Sequence, residues 1–455
     1  MKTEEALVEY VVKANYRDIP ASPLAVARNV ILTVVGTTVA GSAAEGCEAL
    51  VNFYRDIGGK EEATVLIHGG RLPAENAAFV NSVMGRALDF CDAMAPGLHM
   101  GSSIIPVALA AAELVEGCTG RDFLTAIVVG AEVGSRVNLS EAAYDGFDPT
   151  GVAGVFAATA TASRILRLST KETWNALALA FNRCGGSFQS NVDGSLAVRT
   201  IQGWVSQNSL NCARLAQRGI TGPRKFMEGV YGYLHIFGKD KMTAGSLTRR
   251  LGEEYRMEGI VFKKYPSCGL TLASTDVILD LMHEKQFEAG DIERIDVNVP
   301  PYAHKLVGHR FQIGDSPRVN AQFSIQYCVA NALLRKSSKL HHFEPSSVGE
   351  PTIMQLIDLV HVTSDESLEP RGHTAVDLRV RTKDGTTHYK GIDIAPGFPG
   401  NALTQAEHQE RFWDCIDFAG KPMERQNAES IVTLIGELED VPDVRAIIPL
   451  LLTEE

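Results

Sequence analysis

Near Lys263 this sequence changes from a helical texture to an alternating one, and after Pro396 it changes back. From Thr3 to about Arg250, apolar residues recur at helical spacing between Gly, Pro and Asp punctuation. The spacing predicts helices over 4–15, 22–40, 45–56, 73–90, 103–116, 120–139, 150–166, 169–184, 196–218 and 221–229, with Ser22, Ser103 and Ser169 as caps. Many of these segments are dense in Ala and Gly, which lets helix axes approach closely, so they predict a compact all-α body. Beyond Lys263, IERIDVNVP (292–300) and AVDLRVRTKDGTTHYKGIDI (375–394) alternate apolar and polar residues as half-buried strands do. Lys383-Asp384-Gly385 marks a hairpin turn, and helices are expected over 270–285 and 320–334. Helical patterns resume over 404–418 and 424–437. The expectation is a mostly α chain with an α+β second domain inserted into it. An all-helical domain takes 1–262 and 391–455, and a smaller α/β lid domain takes 263–390. A length of 455 residues fits two cores, since a single core stops growing near about 250–300 residues.

Hydrophobic residues at 45% and charged residues at 22% are globular values, which excludes disordered and fibrous classes. A formal charge of −12 disfavours a nucleic-acid partner, because phosphate backbones are bound by basic faces. The eight cysteines form no C-x-x-C pair, so neither a zinc knuckle nor a redox dithiol is expected. The N-terminal stretch MKTEEALVEYVVKANY is acidic and amphipathic, unlike a signal peptide, and reads as the first helix. The apolar run from Ile104 to Val115 is shorter than the roughly 20 residues of a membrane span. The reading is a cytoplasmic protein with no membrane partner.

The stretch RALDFCDAMAPGLHMGSSIIPVALAAAEL (86–114) carries the most chemistry. A helix ending at ALDF would set Asp89 and Asp92 on neighbouring positions of one face. A Gly/Pro loop then brings His99 toward Ser102 and Ser103 at the next helix start. A carboxylate, an imidazole and free helix N–H groups in one region suit proton transfer beside a bound anion. The plainer reading is an Asp that caps a helix and a solvated loop His. Elsewhere, Tyr265-Pro266-Ser267-Cys268 reads equally as a domain-crossing turn, and Arg199 as half of a structural ion pair. His341 and His342 lie in a polar stretch and are expected to be solvated, with no companion ligands for a metal. Phosphate-loop glycine spacings are absent, so no nucleotide cofactor is expected.

Several stretches, in order and nearly end to end, resemble the MmgE/PrpD family. They are the 86–114 segment, GFDPTGVAGVFAATATASRIL (146–166), DGSLAVRTIQGW (193–204), RGITGPRKFMEGVYGYL (218–234), VFKKYPSCG (261–269), NAQFSIQYCVANALL (320–334) and APGFPGNALTQAEHQERF (395–412). The resemblance implies a helical domain built from both chain ends, a smaller lid domain and a homodimer. It implies a lyase, free of metal and organic cofactor, that dehydrates or decarboxylates a small polycarboxylic acid. Epimerisation on the same fold, or a catalytically silent metabolite-binding dimer, are the alternatives. Asp89, His99 and Lys263 fall on positions taken to line the active site, and Tyr265, Ser195 and Arg199 match nearby pattern residues. Asp92 and Asp148 complete the expected substrate-binding set. Asp148 and Ile201 stand where the family usually has His, and Val198 where it usually has Lys. Losing a cationic partner weakens recognition of a highly charged acid such as methylcitrate, so these departures bear on the substrate more than on the fold.

Overall fold

The computed structural model describes residues 2–193 and 195–453. It divides into two compact units, Met1–Ile260 with Cys415–Glu455, and Val261–Asp414. The return to the helical unit thus comes at Cys415, later than the expected position near 391. Residues 391–414 belong with the sheet because the strand Thr387–Ile392 runs directly into them.

The helical unit is built on Ala21–Gly41, Ala74–Arg86, Gly101–Glu113, Gly120–Val137, Val155–Ile165, Thr170–Phe181 and Ala197–Gln217. The last of these packs on Ala74–Arg86, Val155–Ile165 and Thr170–Phe181. Gly203 permits that closeness, since a Cβ there would lie 2.8 Å from the Phe79 ring. Ser169 caps its helix as expected, its side chain accepting from the Glu172 N–H. Ser22 and Ser103 do not cap. Pro20 is the extended residue before the first of their helices, and Ser103 is the third residue of a helix that starts at Gly101. Residues 221–229 form turns rather than a helix. Gly222-Pro223 disfavours helix there, and the N–H groups of Met227 and Glu228 instead donate to the Glu4 carboxylate. The C-terminal helix Arg425–Gly436 packs on Ala21–Gly41. That apolar helix is long enough to cross a membrane, yet 78% of its most apolar window is buried inside the protein.

In the second unit, four strands lie in the order Val360–Ser364, Ile292–Val299, Val376–Thr382, Thr387–Ile392. The first pair is parallel and the others antiparallel. The hairpin at Lys383–Gly385 is where the turn residues put it, whereas Val360–Ser364 was not foreseen. It is a short run, VHVTS, with only its first residue buried, so it offers little alternation to read. Helix Leu272–Lys285 packs on the sheet, sharing an apolar core with Ile325 and Val329. The expected helix over 320–334 is broken at Phe323–Ser324, where Ser324 caps a new helix by accepting the Tyr327 N–H. His342 is buried, not solvated. Its Nδ1 accepts from the Lys339 N–H at 3.1 Å, and burial pushes its pKa down to about 3.

One buried ion pair ties helix Gly120–Val137 to residues 247–257 of the same unit. Arg136 Nε lies 2.5 Å from Glu132 Oε1, and both side chains are 0% exposed. The remaining guanidinium donors reach the carbonyls of Leu247, Arg249 and Glu254, while Glu132 Oε2 accepts the Met257 N–H. Removing one member leaves an uncompensated buried charge, which costs about 3–5 kcal/mol. Glu132→Ala is therefore expected to lose about that much stability in guanidinium unfolding; a loss below about 1 kcal/mol, the size of an exposed pair, would show that water reaches Arg136.

Candidate active site

Helix Ala74–Arg86 ends at Arg86, and Asp89 follows in the left-handed conformation with φ +54°. Asp is among the few residues besides Gly that tolerate this region. The chain therefore leaves the helix before Asp89, and Asp89 and Asp92 do not share a helix face. Instead Asp89 folds back, its Oδ1 accepting from Arg86 Nη1 at 2.6 Å. Arg86 is buried. Burial opposes its charge, but Asp89, Cys91 and Asp148 together hold it above its ordinary range. Arg86 is thus the cation around which two of the sequence-predicted acids gather.

Asp92 does two jobs with its two ends. Its side chain is fully buried, and Oδ2 accepts the Gly101 N–H at 2.9 Å, so the carboxylate sits on the N-terminus of Gly101–Glu113. A Cβ at residue 101 would lie 2.2 Å from the other carboxylate oxygen, so glycine is required there. This helix end, expected to be free for a substrate anion, already carries the chain's own Asp92 carboxyl group on its first N–H. The Asp92 backbone carbonyl lies 2.7 Å from His99 Nδ1. A carbonyl only accepts, so Nδ1 carries the proton and Nε2 is the basic nitrogen of the neutral ring.

His99 is half-buried, at the end of a tight turn closed by Met94 and Leu98. Asn138 Nδ2 donates to the Ala95 carbonyl and anchors that turn to the end of Gly120–Val137. The His99 N–H donates to Thr150 Oγ1 at 3.0 Å, and the Thr150 N–H donates to Asp148 Oδ1 at 2.8 Å. Thr150 opens a widened, π-type turn, Thr150–Gly154, that leads into Val155–Ile165; such turns recur at functional sites. Burial pushes the Asp148 carboxyl up, against the pull of the Thr150 N–H and of Arg86. Ile201 lies beside it, its Cδ1 2.8 Å from where a Gly186 Cβ would stand, with Asp148 Cβ 3.5 Å from the same point. Burial likewise pushes the Cys91 thiol up to about 11, which leaves it an inert neighbour 3.7 Å from His99 Nδ1.

His99, Asp92 and Asp148 are thus linked by hydrogen bonds, and Asp89 joins them through Arg86. Other predicted residues lie elsewhere. Arg199 Nη1 donates to the Glu45 carbonyl at 2.7 Å, a structural use of the guanidinium. Ser195 is exposed, and its neighbour Gly194 in the Asp-Gly-Ser segment lies outside the described residues. In the second unit Lys263 is buried. Tyr265 is locked by donating to Asp276 at 2.7 Å, and burial followed by that carboxylate pushes its phenol far above the ordinary range. Asp276 also holds Lys264 at 2.7 Å, so the Tyr265 hydroxyl is engaged in a packed turn rather than poised for proton transfer. Arg86 and Thr150 were not singled out from sequence. The signals were there: a charged residue three before Asp89, and a hydroxyl two after Asp148.

Residues 5–244 match the MmgE/PrpD N-terminal domain, and residues 265–436 match the MmgE/PrpD C-terminal domain. The chain belongs to the MmgE/PrpD family. It is similar to cis-aconitate decarboxylase of Mus musculus, at 26% identity over 443 residues covering 93% of this chain and 88% of that one. Cis-aconitate decarboxylase-like protein oryM of Aspergillus oryzae (strain ATCC 42149 / RIB 40) is 25% identical over 471 residues, covering 98% and 96%. Cis-aconitate decarboxylase of Homo sapiens is 26% identical over 398 residues, covering 84% and 80%.

Burial raises Asp148 in the fold, so the fold favours its protonated form. That contribution is present at acid pH and is lost as pH rises through the raised value. Near neutral pH the buried charge is a cost. Asp148→Asn keeps an oxygen for the Thr150 N–H and removes the charge, so it is expected to raise Tm at pH 7. The gain should shrink as pH falls into the carboxylate range; a lowered Tm at pH 7, or a gain independent of pH, contradicts this.

Proposed function

We propose that this protein is a lyase, working without metal or organic cofactor, that moves a proton next to a carboxylate of a small organic polycarboxylate, with His99 as the acid/base group. One observation carries the reading: the Asp92 carbonyl accepts the hydrogen bond of Nδ1–H and leaves Nε2 as the basic nitrogen of a half-buried imidazole. Nε2 removes a proton α to a carboxylate or other carbonyl, and the electron pair moves into the enolate. In the dehydrating case collapse of the enolate breaks the carbon–oxygen bond as the imidazolium gives its proton to the departing hydroxyl, which leaves as water. In the decarboxylating case no α proton is removed first: a carboxylate leaves as carbon dioxide, the pair of the broken carbon–carbon bond passes into the enolate, and the protonated imidazole delivers one proton to carbon. Because the Asp92 carbonyl already orients the imidazole, Asp89 is assigned the second acid/base role. To Lys263 we assign stabilisation of the enolate, since a cation aimed at developing charge is the largest effect a site of this kind offers.

The named relatives favour a substrate of the tricarboxylic-acid type and loss of carbon dioxide or water as the outcome. Asp148 and Ile201 favour a substrate less charged than methylcitrate, because neither supplies the cationic partner that a further carboxylate needs. We further propose that two copies form the working unit. The proposed contact takes the side chains of Phe53, Ile57 and Trp204, apolar residues each more than half exposed. Trp204→Glu should then shift sedimentation toward monomer; an unchanged species would move the contact elsewhere.

With a turned-over substrate in hand, His99→Ala should lower kcat by about 10² to 10⁴ in a protein that melts normally. Lys263→Ala should cost a similar factor, and the double variant should fall short of the product of the two. Full activity in a folded His99→Ala protein would remove His99 from the mechanism and direct attention to Asp148.

A further inference from the structure

The π-type turn Thr150–Gly154 places a hydroxyl where the loop carrying His99 needs an acceptor. The His99 N–H has one donor to place, and Thr150 Oγ1 takes it at 3.0 Å. Thr150 is itself fixed, because it is buried and its N–H is held by Asp148 Oδ1 at 2.8 Å. The same hydroxyl helps to stabilise the Asp148 carboxylate, whose charge also faces Arg86. Arg86 in turn grips Asp89. The backbone of His99 is thus bonded on one side to a rigid turn, while its ring is bonded through Nδ1 to the Asp92 carbonyl. Two anchors on one residue, from two different segments, set both the position of the imidazole and its tautomer. Losing the first lets the residue swing about the second.

We propose that Thr150 is a positioning residue for His99, its Oγ1 fixing the imidazole so that Nδ1 stays on the Asp92 carbonyl and Nε2 faces the reaction. This rests on the reading of His99 as the acid/base group, but the bond itself is independent of any substrate. A hydroxyl acts here and a methyl does not, so valine and serine at this position separate the hydrogen bond from packing. Valine keeps the shape and loses the acceptor; serine keeps the acceptor.

The test is imidazole 15N NMR on full-length protein labelled at histidine, with the His99 signals assigned by their loss in His99→Gln. The wild type and Thr150→Ser should show the Nδ1–H tautomer, and Thr150→Val a mixture of both. On whatever carboxylate is turned over, Thr150→Val should lose up to about 10²-fold in kcat, the scale of a small misplacement of a reacting group. KM should stay within about twofold, as for an interaction made in the transition state. A wild-type tautomer in Thr150→Val, or a serine variant that fails to restore it, overturns the proposal whatever the activity. Should Thr150→Val not fold, hydrogen exchange of the His99 amide in the wild type decides: slow exchange is expected, and exchange at the rate of an open loop overturns it. Absence of turnover with every carboxylate would count against the lyase reading alone, since the tautomer is read without substrate.

Discussion

The site in the helical unit depends on Asp92, a single residue that is bonded at both ends. Its carboxylate sits on the N-terminus of Gly101–Glu113 and its carbonyl takes the His99 Nδ1 proton. The eight residues between Asp92 and Gly101 are therefore a closed loop whose two ends meet on one side chain. A charge-assisted cap of this kind is worth on the order of 1–2 kcal/mol, and here it also sets the chemistry of an imidazole. Buried carboxyl, helix end and histidine tautomer are one arrangement. Disturbing any one of them changes the other two.

Around this loop the electrostatics are economical. Arg86 is a buried cation shared between Asp89, bonded at 2.6 Å, and Asp148, which burial holds toward its neutral form. Two carboxyl groups in different surroundings, one ion-paired and one desolvated, is the pattern that separates acid from base in enzymes of general acid–base type. The second unit has electrostatics of its own. Its turn at Tyr265 is pinned by Asp276 and Lys264, so that segment is held by a charged network of its own.

Much of the fold was legible because it rests on periodicity. The helical run to Gln217, the strand at Ile292–Val299 and the hairpin at Lys383–Gly385 all follow from spacing and turn chemistry. What was not legible depends on individual backbone conformations and on partners outside the periodic pattern. The helix expected to continue to Phe90 stops at Arg86, because Asp89 takes a left-handed backbone and turns back to the guanidinium. Ser103 was displaced as a cap by a carboxylate nine residues upstream of Gly101, which no local pattern announces. The 86–114 stretch revealed His99 and Asp89 but not their partners. Arg86 faces Asp148 and Thr150 accepts from the His99 N–H, each a residue far along the chain. Arg199 shows the converse, a residue matching a pattern while bonded to the Glu45 carbonyl.

The account holds that His99, oriented by Asp92, moves a proton next to a carboxylate. The most direct measurement is to incubate the protein in deuterated water with a panel of di- and tricarboxylic acids and follow the α positions by NMR, beside His99→Ala handled identically. The account predicts deuterium incorporation, or a product formed by loss of water or carbon dioxide, from at least one acid with the wild type, and a rate lower by about 10²-fold or more with the variant. Exchange or turnover at equal rates in the two proteins would contradict it.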